Sequence, residues 1–216
     1  MDVHASEKEQ VEALRKWWKD NGSSVVTGVL LGLAVLLGVK AWFGYQQNQA
    51  LSASNIYAQM MAASGANDRE KVQAAANELI SNYSGSAYAP LAALLLARDA
   101  VDSNELSAAE AQLQWALDNA KSPEFANIAR TRLIRVMIAQ QQYAEADKLI
   151  AAVKDAGAYA YLYSELKGDL AQALGRPSAA AAAYKLALEQ MPQETPNQPL
   201  LNAKYESVGG AGETPQ

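Results

Sequence analysis

Glu165 and Asp169 stand four residues apart, a spacing that puts two carboxylates on one helix face, where paired acids can do general acid–base work. The rest of a catalytic constellation does not follow. The one histidine, His4, lies ahead of a long apolar run, and the chain has no cysteine. Beyond that run, Ser-His-Asp and Cys-His arrangements, and histidine or thiolate metal sites, have no residues to form from. Glycine gathers at Gly209, Gly210 and Gly212, with no helix after them to make a phosphate-binding loop. A lone carboxylate pair on a helix is ordinarily a solvated face. The sequence reads as non-enzymatic, without cofactor or metal, and the function class left is binding.

A binding surface would have to be carried by helices. From Gln46 onward the chain is rich in Ala, Leu, Gln and Glu, with no strand-like alternation. Helices of about 11–18 residues are predicted between breaks at "SGAND", "SNYSGS", "DSNE", "AKSP", "KDAGA" and "LGRP". Such regular punctuation points to repeats. "GDLAQALGRPSAAAAAYKLALEQMP" sets Gly168, Ala180, Tyr184, Ala187 and Pro192 at the tetratricopeptide positions 8, 20, 24, 27 and 32. A step back of 34 puts Ile134, Ala146, Ile150 and Val153 in the same slots, and a further 37 gives Ala97, Ala109, Leu113 and Ala116. A weaker helix pair, around 46–63 and 69–81, precedes these. The expected fold is all-α, a tetratricopeptide-like solenoid of helical hairpins behind a single N-terminal transmembrane helix.

In this register the first helix of each pair lines a concave groove. Its inward positions 5, 9 and 12 are Leu94, Arg98 and Val101, then Thr131, Arg135 and Ile138, then Glu165, Asp169 and Gln172. The groove is expected to be apolar with a basic and an acidic end, suited to an extended polypeptide. The competing reading is that Arg98 and Arg135 merely pair with neighbouring acids at the surface. "YAYLY" places Tyr159 and Tyr163 on one helix face with Tyr161 between, for packing on the preceding repeat or as an exposed platform. "PQETPNQP" ends the repeats, "LLNAKYESV" forms a short terminal helix over the last exposed face, and "GGAGETPQ" is expected to be disordered.

The N-terminal run carries no charge from Asn21 to Val39. Taken from about Ser23 to Phe43 it spans about 30 Å, enough to cross a bilayer, with Trp17 and Trp18 on one side and Trp42, Phe43 and Tyr45 on the other. A cleaved signal peptide does not fit: acidic residues abound upstream, and the run exits into Lys40-Ala41-Trp42-Phe43. Ahead of it, Ser6 and Glu9 read as a capping box for an amphipathic helix that rests on headgroups or docks a partner, with "NG" at Asn21-Gly22 as its stop. Ser24, Gly28 and Gly32 have the spacing that lets membrane helices approach closely, though glycine is also simply common there. The domain reading is therefore 1–22 head, 23–43 span, 46–191 array and 192–216 terminal segment. The chain's net charge is −5, and residues from Ala41 on hold 13 Lys and Arg against 18 Asp and Glu, without the basic patch that nucleic-acid binding requires.

"EQVEALRKWWKDNG", "GVLLGLAVLLGVKAWFGYQQNQ" and the alanine-rich array together resemble the YfgM family, the ancillary subunit of the bacterial Sec translocon, over about residues 1–205. The resemblance implies a single-pass inner-membrane protein whose periplasmic domain works beside the Sec translocon. There it would join a membrane-anchored periplasmic chaperone and assist emerging secretory polypeptides. A non-translocon alternative is an envelope scaffold that assembles a different membrane complex through the same array.

Charge sets the expected orientation. Lys8, Arg15, Lys16 and Lys19 precede the span, whereas after Lys40 no Lys or Arg occurs until Arg69. The positive-inside bias then leaves the N-terminus cytoplasmic and Gln46 onward outside. Protease added to spheroplasts should digest the array and spare residues 1–20. Protection of the whole chain would reverse the assignment.

Overall fold

The computed structural model describes residues 3–193 and 195–210, with side chains from Lys8 onward. The expected disorder of the tail lies, from Ala211 on, outside the described residues. Nine α-helices and one short 3-10 turn make up the described chain, and it forms two compact units, 1–52 and 53–216.

The first unit is helical from Val3, within α1 (Val3–Gly65). Two sequence expectations are corrected here. Ser6 lies inside the helix and is not its N-cap, because the helix starts at Val3. Asn21-Gly22 does not stop it either: the Asn21 side chain donates to the Trp17 carbonyl at 3.1 Å, and the Trp18 indole lies over Gly22. Thr27 Oγ1 likewise donates to the Ser23 carbonyl at 2.8 Å. An unbroken helix keeps every backbone group paired within the segment, which an apolar medium demands. Among the described residues this is the one helix long and apolar enough to cross a membrane. Side chains such as Leu30, Leu31, Leu36 and Leu37 are exposed along it.

The second unit begins at Ala53 and is a stack of hairpins. The end of α1 pairs with α2 (Arg69–Asn82), α3 (Tyr88–Asp102) with α4 (Leu106–Asp118), α5 (Pro123–Ala139) with α6 (Tyr143–Ala151), and α7 (Ala160–Ala173) with α8 (Pro177–Gln190). A 3-10 turn, Gly157–Tyr159, leads into α7, and α9 (Gln198–Ser207) follows the array. Every hairpin turns the same way. Asn67, Asn104, Gln141 and Gly175 adopt left-handed φ of 56°, 58°, 62° and 68°. The next N–H then reaches back to a helix carbonyl: Asp68 to Ala63, Glu105 to Ala100, Gln142 to Met137 and Arg176 to Ala171, all at 2.8–2.9 Å. These bonds satisfy carbonyls that a helix end leaves orphaned. The break at Gln140–Gln142 carries no glycine or proline, and sequence punctuation missed it.

Burial follows the repeat register. Ala97, Ile134 and Gly168 are buried, as are Ala109, Ala146 and Ala180, then Leu113, Ile150 and Tyr184, and Ala116 and Ala187. Val153 is half-buried because α6 ends two residues before it, and Pro192 is exposed beyond α8. The weak first pair obeys the same frame: a step of 37 from the second repeat lands on Met60, Val72, Ala76 and Leu79, all buried. Asp68 caps α2 by accepting from the Lys71 N–H at 3.2 Å; its carboxyl is held below the ordinary value, chiefly by the Lys71 side chain. A lowered folded pKa means this cap acts at neutral pH and is lost as the pH falls through that lowered value.

Gly168 marks a tight crossing of α7 and α8. A Cβ there would collide with the ring of Tyr184, which is fully buried and cannot swing away. Gly168→Ala and Ala180→Trp should each cost about 1–3 kcal/mol or more in denaturant melts. The exposed neighbour Ala179→Trp should stay within about 0.5 kcal/mol of the parent. Equal effects at Ala179 and Ala180 would mean the register is wrong.

Candidate functional site

A cavity of about 340 Å³ opens between α3 and α5, floored by α4. Leu94, Ala97, Arg98 and Val101 form one wall, Arg132, Arg135, Val136 and Ala139 the other, and Leu106 and Leu113 close the base. Each wall is an i, i+3, i+4, i+7 stripe, the face that one side of a helix presents. α5 packs directly on α7, whereas α3 and α5 stand apart with α4 beneath them, and the cavity fills that gap. Arg98 contacts Asp99 at 3.1 Å and Arg135 reaches Glu165 at 3.7 Å.

Of the nine groove positions expected from the sequence, the structure brings Leu94, Arg98, Val101 and Arg135 together here. Arg132, Val136, Ala139 and Leu106 were missed, and the reason is geometric. The sequence frame took the same positions, 5, 9 and 12, from every first helix. Facing walls of adjacent helices use opposite sides, so α5 contributes positions 6, 9, 10 and 13. Thr131 is instead buried, its hydroxyl donating to the Ile128 carbonyl at 3.1 Å, and Ile138 packs half-buried against the core.

Glu165, Asp169 and Gln172 form a second, separate cluster, and it is already filled. Lys204 of α9 donates to Glu165 Oε1 at 2.7 Å and to Asp169 Oδ1 and Oδ2 at 2.8 and 2.9 Å. The Tyr184 hydroxyl lies within donating distance of Asp169 Oδ1 (2.9 Å) and Gln172 Oε1 (2.8 Å). Burial, then the Asp169 charge, pushes that hydroxyl above the usual phenol range, so it stays a donor. Glu165 is 4% exposed, a carboxylate that water cannot serve. The expected acidic end of the groove is thus neutralised from within the chain. Leu201, Tyr205 and Val208 hold α9 against α8 and complete the arrangement.

The tyrosines separate. Tyr163 is buried and donates to Asn127 Oδ1 at 2.6 Å, tying α7 to α5, while Tyr159 packs at the edge of the same core. Tyr161 lines another cavity, of about 500 Å³, beside Pro123 and Asp155. In the first unit, Ser24, Gly28 and Gly32 lie exposed, and nothing stands within 4 Å of a Cβ built at either glycine. Among the described residues no group of three or more His, Cys, Asp or Glu is placed to hold a metal ion.

Among the described residues, removing Lys204 leaves Glu165 with the distant Arg135 alone. Lys204→Met should therefore destabilise the terminal hairpin towards the lower end of the about 3–5 kcal/mol seen for broken buried pairs, since Lys204 is partly exposed. Amide exchange over residues 198–207 should quicken. Adding Glu165→Gln and Asp169→Asn should recover much of the loss; exchange unchanged by Lys204→Met would make the cluster ordinary surface.

A model of the tetratricopeptide repeat-like domain family matches residues 15–210. The curated relative from Escherichia coli (strain K12), named "Ancillary SecYEG translocon subunit", is 31% identical over 86% of this chain and 88% of its own. Relatives of the same name from Neisseria gonorrhoeae and Haemophilus influenzae are 28% and 27% identical, over 96% and 87% of this chain and 100% and 91% of theirs. No solved structure matches significantly. With a tetratricopeptide repeat-like model spanning most of it and a relative above 30% identity along nearly its whole length, the chain belongs to the family of ancillary SecYEG translocon subunits.

Proposed function

We propose that this chain is an ancillary subunit of the Sec translocon: a single-pass inner-membrane adaptor whose array, residues 46–191, stands on the periplasmic face. Residues 1–22 would be the cytoplasmic head, 23–43 the span and 192–216 the terminal segment. The array binds a membrane-anchored chaperone and assists secretory polypeptides as they emerge, without catalysis of its own. The observation that carries the reading is the end-to-end similarity to relatives bearing that name. The single long apolar helix and the one-sided Lys and Arg distribution around it support the anchorage and orientation. An array of stacked hairpins is a surface for holding polypeptides, which suits an adaptor.

The test is recovery from native membranes. A tagged full chain should co-purify SecYEG together with a periplasmic chaperone after crosslinking. Replacing 25–39 with an unrelated apolar helix, or introducing Gly28→Leu with Gly32→Leu, should lower recovery part-way and leave insertion intact, because the exposed glycine face would pack on a partner helix. Recovery of a different membrane complex and no SecYEG would replace this reading with the envelope-scaffold alternative.

A further inference from the structure

The cavity between α3 and α5 has an unusual charge setting. Three guanidiniums, those of Arg98, Arg132 and Arg135, belong to its walls, and among the described residues no Asp or Glu lines it. The array around it is acidic overall, with 13 Lys and Arg against 18 Asp and Glu from Ala41 on. The arginines are also loosely engaged. Among the described residues Arg132 makes no ion pair, Arg98 leans on its chain neighbour Asp99 with 59% of its side chain exposed, and Arg135 meets Glu165 only at 3.7 Å. Beneath them the walls are aliphatic, and Val101 is 43% exposed, a large apolar side chain left facing water.

We propose that this cavity docks an acidic polypeptide segment, one in which a large apolar side chain is flanked by carboxylates. The inference rests on the function proposed above and gives the partner a chemistry. Guanidiniums fork onto carboxylates with two parallel hydrogen bonds, and they do so best where apolar walls exclude water. The walls run over residues 94–101 and 132–139, about two helical turns or about 10 Å at 1.5 Å per residue. That length, with a volume of about 340 Å³, takes one or two side chains; an extended long-chain lipid tail would overrun it. A peptide also has backbone groups to continue along the helices, which a free anion lacks. The second cluster cannot compete for such a segment, because Lys204 already satisfies its acids and those acids would repel more.

The test uses the full chain in nanodiscs of zwitterionic lipid, titrated with fluorescein-labelled Asp-Glu-Leu-Phe-Glu-Asp and read by anisotropy. Saturable binding is expected, weakening as salt rises. Arg98→Glu with Arg132→Glu should weaken it at least tenfold and improve binding of the matching peptide with Lys in place of its acids. Ala139→Trp, at an exposed position on the mouth, should weaken it at least tenfold without altering charge. Amide exchange across α3 to α6 reports that both variants remain folded. No binding, equal binding of a peptide with Ser in place of Leu-Phe, or insensitivity to the arginine reversal would overturn the proposal. So would saturable binding of oleate that the peptide cannot displace. The two readings separate cleanly: an unresponsive peptide with normal SecYEG recovery sinks the docking chemistry alone, and lost SecYEG recovery with intact peptide binding sinks the proposed function alone.

Discussion

A backbone hydrogen bond made four times over organises the array. At each hairpin a left-handed residue reverses the chain, and the following N–H returns to the carbonyl five residues earlier. This closes the helix end, saves orphaned carbonyls and fixes the angle at which the second helix departs. Because the turn recurs at Asn67, Asn104, Gln141 and Gly175, the buried face of each hairpin recurs with it. Small residues recur at the second-helix crossings, where Ala109, Ala146 and Ala180, with Gly168 opposite the last, allow backbones to come close. Side chains from the neighbouring helix fill the rest, most tightly where the Tyr184 ring lies against Gly168.

Identical turns do not make identical spacings between hairpins. Between α5 and α7 a buried hydrogen bond from Tyr163 to Asn127 and the cluster around Leu133 and Leu166 draw the helices together. Between α3 and α5 no hydrogen bond forms among the described residues, and guanidiniums stand on both walls. Like charges facing one another oppose closure. Polar links between these two repeats lie elsewhere, at the hairpin ends: Gln140 and Gln142 both donate to Glu110 Oε2, at 2.7 and 3.1 Å. The second and third hairpins are thereby joined at one end while a gap persists between their first helices.

The fold was legible because its determinants are local and periodic. Breaks rich in Gly, Pro, Asn and Ser marked most helix ends, and the Gly168, Ala180, Tyr184, Ala187 frame transferred backwards to residues that proved buried. Gln140–Gln142 escaped because a left-handed glutamine carries no compositional flag; only its distance from Asn104 and Gly175 betrays it. Asn21-Gly22 misled for the opposite reason. Here the Asn21 side chain turns back onto the Trp17 carbonyl and the Trp18 indole covers Gly22, so the helix runs on through the dipeptide. At the candidate cavity, single-helix periodicity accounts for four of the lining residues, Leu94, Arg98, Val101 and Arg135. It could not show that two helices face each other with opposite sides, so Arg132 was passed over while Thr131, one residue away, was placed in the groove.

The terminal helix explains why the array's two polar sites differ in kind. A solenoid must end, and its last hairpin exposes a face built to receive another helix. Here that face carries Glu165 and Asp169, and one of the two is almost wholly buried. An uncompensated carboxylate in that position would be costly, so the chain supplies Lys204 from α9 together with the apolar contacts of Leu201 and Tyr205. The charge balance of this cluster is settled internally, and its acids have little attraction left to offer a partner. Arg135 links it to the cavity, since its guanidinium lies at the rim and only 3.7 Å from Glu165. The cation is therefore shared between a long ion pair and the rim of the cavity.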